Sequence, residues 1–422
     1  MRSIYLRAAA VAVVFICPFC LSGQEAGGPV IPTPLTLDLA TEILLLGNPT
    51  ILRERQNIAL ARANALNARL RPNPELGLNS ESYPLFAANP GPFFQRQELV
   101  VRVGQPIETA GKRRKRTLVA EQEVGVTQTL LQDTVRQLKL ELGQRHYAVV
   151  LAKANLELAR EVLEQFDEII RLTEARYEQG EISGLDLTRV QTERLRFFND
   201  VLDAELQLKN SKTALLELLG AADLNADFDV AETLEFRPLK VALVDLQSEA
   251  MRARPDLAAQ QELLERDRRQ KTVEGALAIP NITPFFGYKR NEIDNTVVFG
   301  VDLPLPFFNR NQGGIARASA LIEQRQNEIT RVKLQVQSEV QQGYQTVSAH
   351  AERVRALESA YVPSARRARD IAQTSYRLGA LDLIAFLDAE RAYRETLRGY
   401  NRALLDHQIA VFQLAAAVGK DF

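Results

Sequence analysis

The residues able to do chemistry are few and scattered. His146, His350 and His407 are the only histidines, and they lie far apart along the chain. Cys17 and Cys20 both fall within an N-terminal apolar run, and Met251 is the only methionine besides Met1. No combination has the spacing that zinc or copper ligation requires. No nucleophile elbow, phosphate-cradling loop or catalytic dyad stands out either. The expectation is a protein that is no enzyme, carries no cofactor and holds no resident metal. A metal ion that met it would be conducted without being chelated. One basic cluster, Lys112-Arg113-Arg114-Lys115-Arg116, could suit nucleic acid. Across 422 residues, however, 52 basic side chains are balanced by 53 acidic ones, so no general field favours a polyanion.

The N-terminus points to export. Arg2 and Arg7 precede the apolar run Ala8 to Phe19, and the small residues Ser22 and Gly23 follow. This is the pattern of a secretory signal peptide over 1–23, too short to span as a mature helix. Bulky Ile16 and Phe19 stand just before the cysteines, where lipoprotein processing needs small residues, which argues against acylation. No later run reaches the roughly 18 apolar residues of a transmembrane helix. Export then leaves three destinations: the periplasm, the medium, or an outer-membrane β-barrel. In an exported chain the basic cluster fits lipid headgroups at a membrane face better than nucleic acid.

What would position functional groups here is long helix. No proline occurs between Pro106 and Pro238, or after Pro363, in a chain with 18 prolines. An interior proline costs a helix about 3 kcal/mol, so gaps of this length mark uninterrupted helices. The apolar seam Val135, Leu138, Leu142, Val149, Ala152, Leu156, Ala159, Leu163, Phe166, Ile170 and Tyr177 advances in alternating steps of three and four, broken only by Arg145 and Thr173. That is a coiled-coil period. A helix from near Lys112 to Tyr177 would be on the order of 100 Å long. A tube or stalk needs such a helix; a compact globule does not.

The chain also repeats. With Tyr177-Glu178-Gln179-Gly180 laid over Tyr376-Arg377-Leu378-Gly379, the two segments align without a gap as far as Gly220 over Gly419. Upstream, with small shifts, Pro49 matches Pro255 and Pro72-Asn73 matches Pro280-Asn281. A period of about 200 residues means tandem domains. The expected organisation is a first repeat over 24–220, a connection over 221–245 and a second repeat over 246–422, with long helices over about 112–220 and 312–419. Each repeat carries one β-like island: strands 75–83 and 96–103 in the first, 282–290 and 295–303 in the second. Leu99, Val101 and Val103 alternate with Glu98, Val100 and Arg102; Val297, Phe299 and Val301 alternate with Val298, Gly300 and Asp302. Periodicity alone admits a lipid-facing barrel strand or a hairpin half-buried on a soluble domain. Phe93, Phe94, Phe307 and Phe308 flank the strands and fit an aromatic girdle or a soluble core equally. Four strands cannot close a membrane barrel, whose smallest members have eight, so the barrel reading requires an oligomer.

The order of signal, helix, hairpin and two long helices, all given twice, resembles the TolC-like outer-membrane efflux proteins. The phrases Arg71-Pro72-Asn73-Pro74-Glu75-Leu76, Gly104-Gln105-Pro106-Ile107-Glu108 and Gly111-Lys112-Arg113 carry the resemblance, together with the two Tyr-x-x-Gly hairpin tips. Among them, Pro72-Asn73-Pro74-Glu75 and Gly111-Lys112-Arg113 are most similar to the CzcC-like heavy-metal export branch. The resemblance implies a mainly α protein with membrane β structure: a homotrimer with a 12-stranded β-barrel in outer-membrane lipid and a periplasmic α-helical tunnel. It implies a passive exit duct, with divalent heavy-metal cations as a substrate class, served by a periplasmic adaptor and a proton-driven inner-membrane pump. It further implies that Tyr177, Gly180, Gly184, Tyr376 and Gly379 form adaptor-docking tips. Asp388 would be a gate residue ringing the periplasmic entrance, with Asp382 and Asp186 near the same tips. The family's second acidic position falls on Ala385 and its basic partner on Leu381, so the usual salt-bridge latch is missing. The competing class is a soluble periplasmic coiled-coil adaptor, but adaptors set one hairpin between strand-rich halves, whereas this chain has two equivalent helical halves.

Overall fold

The computed structural model describes residues 31–81, 97–291 and 294–420. Chain order runs α1 (Leu37–Gly47), α2 (Pro49–Arg69), β1 (Glu75–Glu81), β2 (Glu98–Gly104), α3 (Lys112–Glu178) and α4 (Gly184–Leu219). After an irregular strap come α5 (Leu243–Ala253), α6 (Pro255–Leu277), β3 (Thr283–Arg290), β4 (Asn295–Asp302) and α7 (Gln312–Ala356). A π-helical turn, Leu357–Tyr361, leads into α8 (Val362–Arg377), and α9 (Leu383–Val418) ends the described chain. The helix expected from Lys112 is present at its full length of 67 residues, about 100 Å. Strand residues 82, 83 and 96, and Phe93 and Phe94, lie outside the described residues. The π-turn had no counterpart in the sequence reading. It stands immediately before Pro363, whose missing N–H removes one helical donor and favours local rewinding.

Long helices here draw stability from packing along their length, because no single globular core exists. The three largest of the buried clusters succeed one another. Leu44, Ile51, Leu142, Val149 and Leu215 join α1, α2, α3 and α4. Leu246, Leu257, Val336, Val340 and Leu414 join α5, α6, α7 and α9. Phe166, Phe197, Tyr376 and Phe386 join α3, α4, α8 and α9 near the hairpin tips. Most of the predicted α3 seam is buried, including Leu142, Val149, Ala152, Leu156 and Phe166. Tyr177, its last member, is 46% exposed instead. An ideal helix drifts about 20° per heptad from a strict 3.5-residue repeat, and Tyr177 lies at a helix end where no partner continues.

The helix breaks before α2 and α6 are built alike, with different residues. Asn48 caps α2, accepting from the Thr50 and Ile51 N–H groups, and its Nδ2 donates to the Leu218 carbonyl at 2.7 Å. Arg254, before α6, donates from Nη1 to the Ala417 carbonyl at 2.9 Å and pairs with Asp256 and Glu339, both at 2.6 Å. The strap is tied down by His146 Nε2 against Glu232 Oε2 at 2.7 Å and by Lys153 on Asp229 at 2.8 Å. His407 is buried against the strap's Phe236 ring, with centroids 5.0 Å apart.

The four strands form one antiparallel sheet in the order β1-β2-β3-β4. Its central pairing, Val101 opposite Tyr288 and Val103 opposite Phe286, joins the two halves of the chain. The phrases on either side explain why. Ile107 bridges Ile282, Thr109 Oγ1 donates to the Pro280 carbonyl at 2.6 Å, and Lys112 Nζ donates to Ile279 O and Asn281 Oδ1. Lys112 is therefore buried, and Arg116 is held by Glu108 and the Ala68 and Leu70 carbonyls. Two of the five basic side chains lock the sheet to the helices and are not presented as a headgroup-binding face.

Candidate functional site

Both hairpin tips are built by the same local physics. At the first, Gly180 takes φ +74°, its N–H bonds to the Tyr177 carbonyl at 2.9 Å, and Glu181 N–H bonds to the Arg176 carbonyl at 2.9 Å. At the second, Gly379 takes φ +73°, with bonds from Gly379 to Tyr376 and from Ala380 to Ser375 at 3.0 and 2.8 Å. These are left-handed helix terminations, which only glycine adopts without strain. Gly184 is different. It opens α4 with ordinary helical geometry, and a Cβ there would meet the Tyr177 ring at 3.6 Å, an ordinary contact.

The three expected gate acids divide by duty. Asp382 is the N-cap of α9, accepting from Ala385 N–H at 2.8 Å. Asp186 belongs to the cap of α4, accepting from Ser183 Oγ at 2.8 Å while its N–H donates back to that oxygen at 3.2 Å. Both carboxylates also sit well for the helix dipole. Asp388 has no capping duty. Its side chain is 65% exposed on α9 and meets only Arg391, one turn on, at 3.4 Å. Of the three, it is the one whose carboxylate caps no helix.

The two tips are joined by contacts that sequence reasoning did not find. Thr173 gives its hydroxyl proton to the Ile169 carbonyl at 2.7 Å, so the Tyr376 hydroxyl must donate to Thr173 Oγ1 at 3.0 Å. Arg176 lies over the Tyr376 ring, 5.7 Å from its centroid, and donates to the Tyr376 and Arg377 carbonyls at 3.0 and 2.6 Å. Tyr376 also stacks on Phe386, with centroids 5.3 Å apart. At the tips, an arginine gripping backbone carbonyls ties the two hairpins together. A carbonyl partner leaves no trace in sequence, which is why Arg176 was not singled out.

Behind Asp388 lies a second carboxylate that reasoning also missed. Glu390 is only 5% exposed and sits among Arg369, Arg394, Glu161 and Asp370. Burial pushes its carboxyl above the ordinary carboxylate range, against the pull of Arg369 and Arg394. Arg394 is itself committed to Asp200 at 2.7 Å and lies 4.7 Å from the Phe197 ring centroid.

At the far end of the helices, the sheet has two unlike faces. Leu76, Leu78, Leu99, Val103, Phe286, Tyr288, Val297, Phe299 and Val301 share one face by register, and all of them are exposed. Phe299 is 82% exposed. No described element covers this face. The opposite face carries Glu75, Asn79, Glu98, Arg102, Lys289 and Asp302 among glycines.

Residues 41–221 and 246–420 each match the family described as outer membrane efflux protein. The chain belongs to the outer membrane efflux protein family. Among curated relatives, it is 25% identical over 404 residues to the cobalt-zinc-cadmium resistance protein CzcC of Cupriavidus metallidurans, covering 93% of each chain. Its fold matches the crystal structure of CusC with a TM-score of 0.75 at 18% identity, over 91% of this chain and 92% of that one. It matches the Campylobacter jejuni CmeC outer membrane channel with a TM-score of 0.75 at 14% identity, over 99% and 94%. The family is one of outer-membrane efflux proteins and not of enzymes, so this chain is an efflux component of the outer membrane. The family match does not favour the soluble-adaptor alternative. For an outer membrane efflux protein, the uncovered apolar sheet face has a ready solvent in lipid.

Proposed function

We propose that the chain is one third of a tripartite system's passive exit duct: a homotrimer whose twelve pooled strands close a barrel and whose helices form the periplasmic tunnel. The observation that carries this reading is the sheet, whose apolar face is uncovered and whose outer strands β1 and β4 are unpaired on one side among the described residues. In hydrocarbon each unpaired backbone group costs several kcal/mol, so open edges are not tolerated there. Pairing β4 of one copy with β1 of the next removes every edge. The two halves, 24–220 and 246–422 joined through 221–245, act as tandem repeats that give each copy two helical hairpins.

The tips form the periplasmic entrance, with three copies of Asp388 around it. Asp382 and Asp186 support it through their caps. Tyr177, Gly180, Gly184 and Gly379 present the surface to a periplasmic adaptor, and an inner-membrane pump, proton-driven, supplies the solute. Tyr376, being 5% exposed, serves the tip packing and not the docking surface. The relative's name, cobalt-zinc-cadmium resistance protein, and the exposed acidic ring both favour divalent metal cations as the exported class.

The test is purification in mild detergent followed by planar-bilayer recording. We expect an outer-membrane trimer with cation preference and divalent block. Asp388→Ala should weaken that preference and Asp388→Arg should reverse it, with trimer stability unchanged, since an exposed charge contributes little to folding. Recovery as a soluble periplasmic monomer would end the channel reading. Identical selectivity in all three proteins would move the constriction away from Asp388.

A further inference from the structure

The polar face of the sheet contains an arrangement that the channel reading does not require. Two successive cross-strand rows each hold one large side chain with glycine on both sides. In one row Arg102 lies between Gly77 and Gly287; in the next Phe285 lies between Gly104 and Gly300. Glycine inside a strand weakens it, so each needs a reason. The reason is space. A Cβ on Gly77 would fall 3.0 Å from Cγ and Nε of Arg102, one on Gly287 would fall 3.0 Å from Arg102 Cβ, and one on Gly300 would strike the Phe285 ring at 2.5 Å. The two framed side chains meet, with the Arg102 guanidinium 5.4 Å from the Phe285 centroid.

The charges on this face are uneven. Its acids are Glu75, Glu81, Glu98 and Asp302, and its bases are Arg102 and Lys289. Lys289 is taken up by Glu98. Among the described residues Arg102 meets a carboxylate only at Asp302, at 3.8 Å, which is beyond hydrogen-bonding distance, and its side chain is 42% exposed. A guanidinium held on an aromatic face, given clearance by glycines and only loosely paired, keeps donors turned to whatever fills the lumen.

We propose that Arg102 is a specificity-determining residue of the barrel lumen: three copies form a fixed cationic belt, partly offset by Asp302, that limits the cation preference created at the tips. The belt requires the trimeric barrel proposed above. Its chemistry also predicts a resting station for small anions or carboxylate-bearing solutes, because a planar fork of donors matches a carboxylate.

The experiment is reversal-potential measurement on full-length trimers in planar bilayers under a KCl gradient, in wild-type and Asp388→Ala backgrounds. Arg102→Gln should raise the cation-to-anion permeability ratio on the order of threefold at low salt, with the effect fading towards 1 M salt as screening shortens. Asp302→Asn should lower the ratio by a similar factor. Arg102→Lys should hold it near wild type. Channels of normal conductance whose ratio ignores Arg102→Gln and Asp302→Asn overturn the belt and leave the barrel standing. Failure of the wild-type protein to form channels overturns the barrel and the belt together.

Discussion

Tyr177 and Tyr376 occupy the same place in the two hairpins, three residues before a left-handed glycine, yet one is 46% exposed and the other 5%. The backbone does not distinguish them. The difference comes from what stands opposite. Tyr376 meets α3, whose last turns offer Thr173 as acceptor and Arg176 as a cation. Under the tandem alignment, Ala372 and Ser375 stand where Thr173 and Arg176 stand in the first hairpin, so the second hairpin offers an incoming Tyr177 neither. Duplication has preserved the turn and dropped half of the latch. The hairpins are bound together through Tyr376, while Tyr177 stays exposed.

Substitutions can break this asymmetry in a graded way. Tyr376→Ala should have the largest effect. It empties a buried site against Phe386 and removes the bond to Thr173, a loss of about 3 kcal/mol or more, read as a lower midpoint in thermal unfolding. Tyr177→Ala should cost under about 0.5 kcal/mol, so equal losses would show that the tyrosines are equivalent after all. Arg176→Ala comes next. It removes two charged hydrogen bonds to carbonyls from a largely buried arginine, about 1–2 kcal/mol, and should raise the basal conductance of the trimer in bilayers. Unchanged leak would mean the tips are held by apolar packing alone.

The smallest expected effect concerns Glu390. Because burial pushes its carboxyl up in the folded protein, the folded state holds that proton more tightly than the unfolded chain does. Folding is then least penalised at pH below the ordinary carboxylate range, and the penalty develops as pH rises above it. Glu390→Gln should accordingly be more thermostable than the parent at pH 7 and indistinguishable from it near pH 4. A stability gain of the same size at both values would remove titration from the explanation.

Much of the architecture was legible because it rests on repeating physics. The missing prolines and the three-four seam located α3, and alternation located all four strands to within a residue or two where they are described. Left-handed glycines that end helices have a local signature, so Gly180 and Gly379 could be placed on tips. What could not be read depends on distant partners. Nothing in the sequence around Lys112 reveals that it reaches Asn281, or around Arg176 that it grips the carbonyls of Tyr376 and Arg377. The glycines beside Arg102 and Phe285 look like ordinary turn-formers until the register sets them opposite large side chains. The π-turn before Pro363 is similarly silent, because a proline near a helix start and a proline within a rewound helix share one sequence.

The pairing of β2 with β3 also constrains the order in which the molecule can be made. Those strands are separated by the whole of α3, α4, the strap, α5 and α6. Before the second half arrives, β1 and β2 can form only a two-stranded hairpin, which is marginal in water. The loop that must close is long, and loop closure is met before any strand contact rewards it. A nascent chain would therefore form its helices first and its four-stranded sheet last. The apolar strand faces would stay unassembled until the C-terminal half has been made, which makes that interval the one most exposed to aggregation.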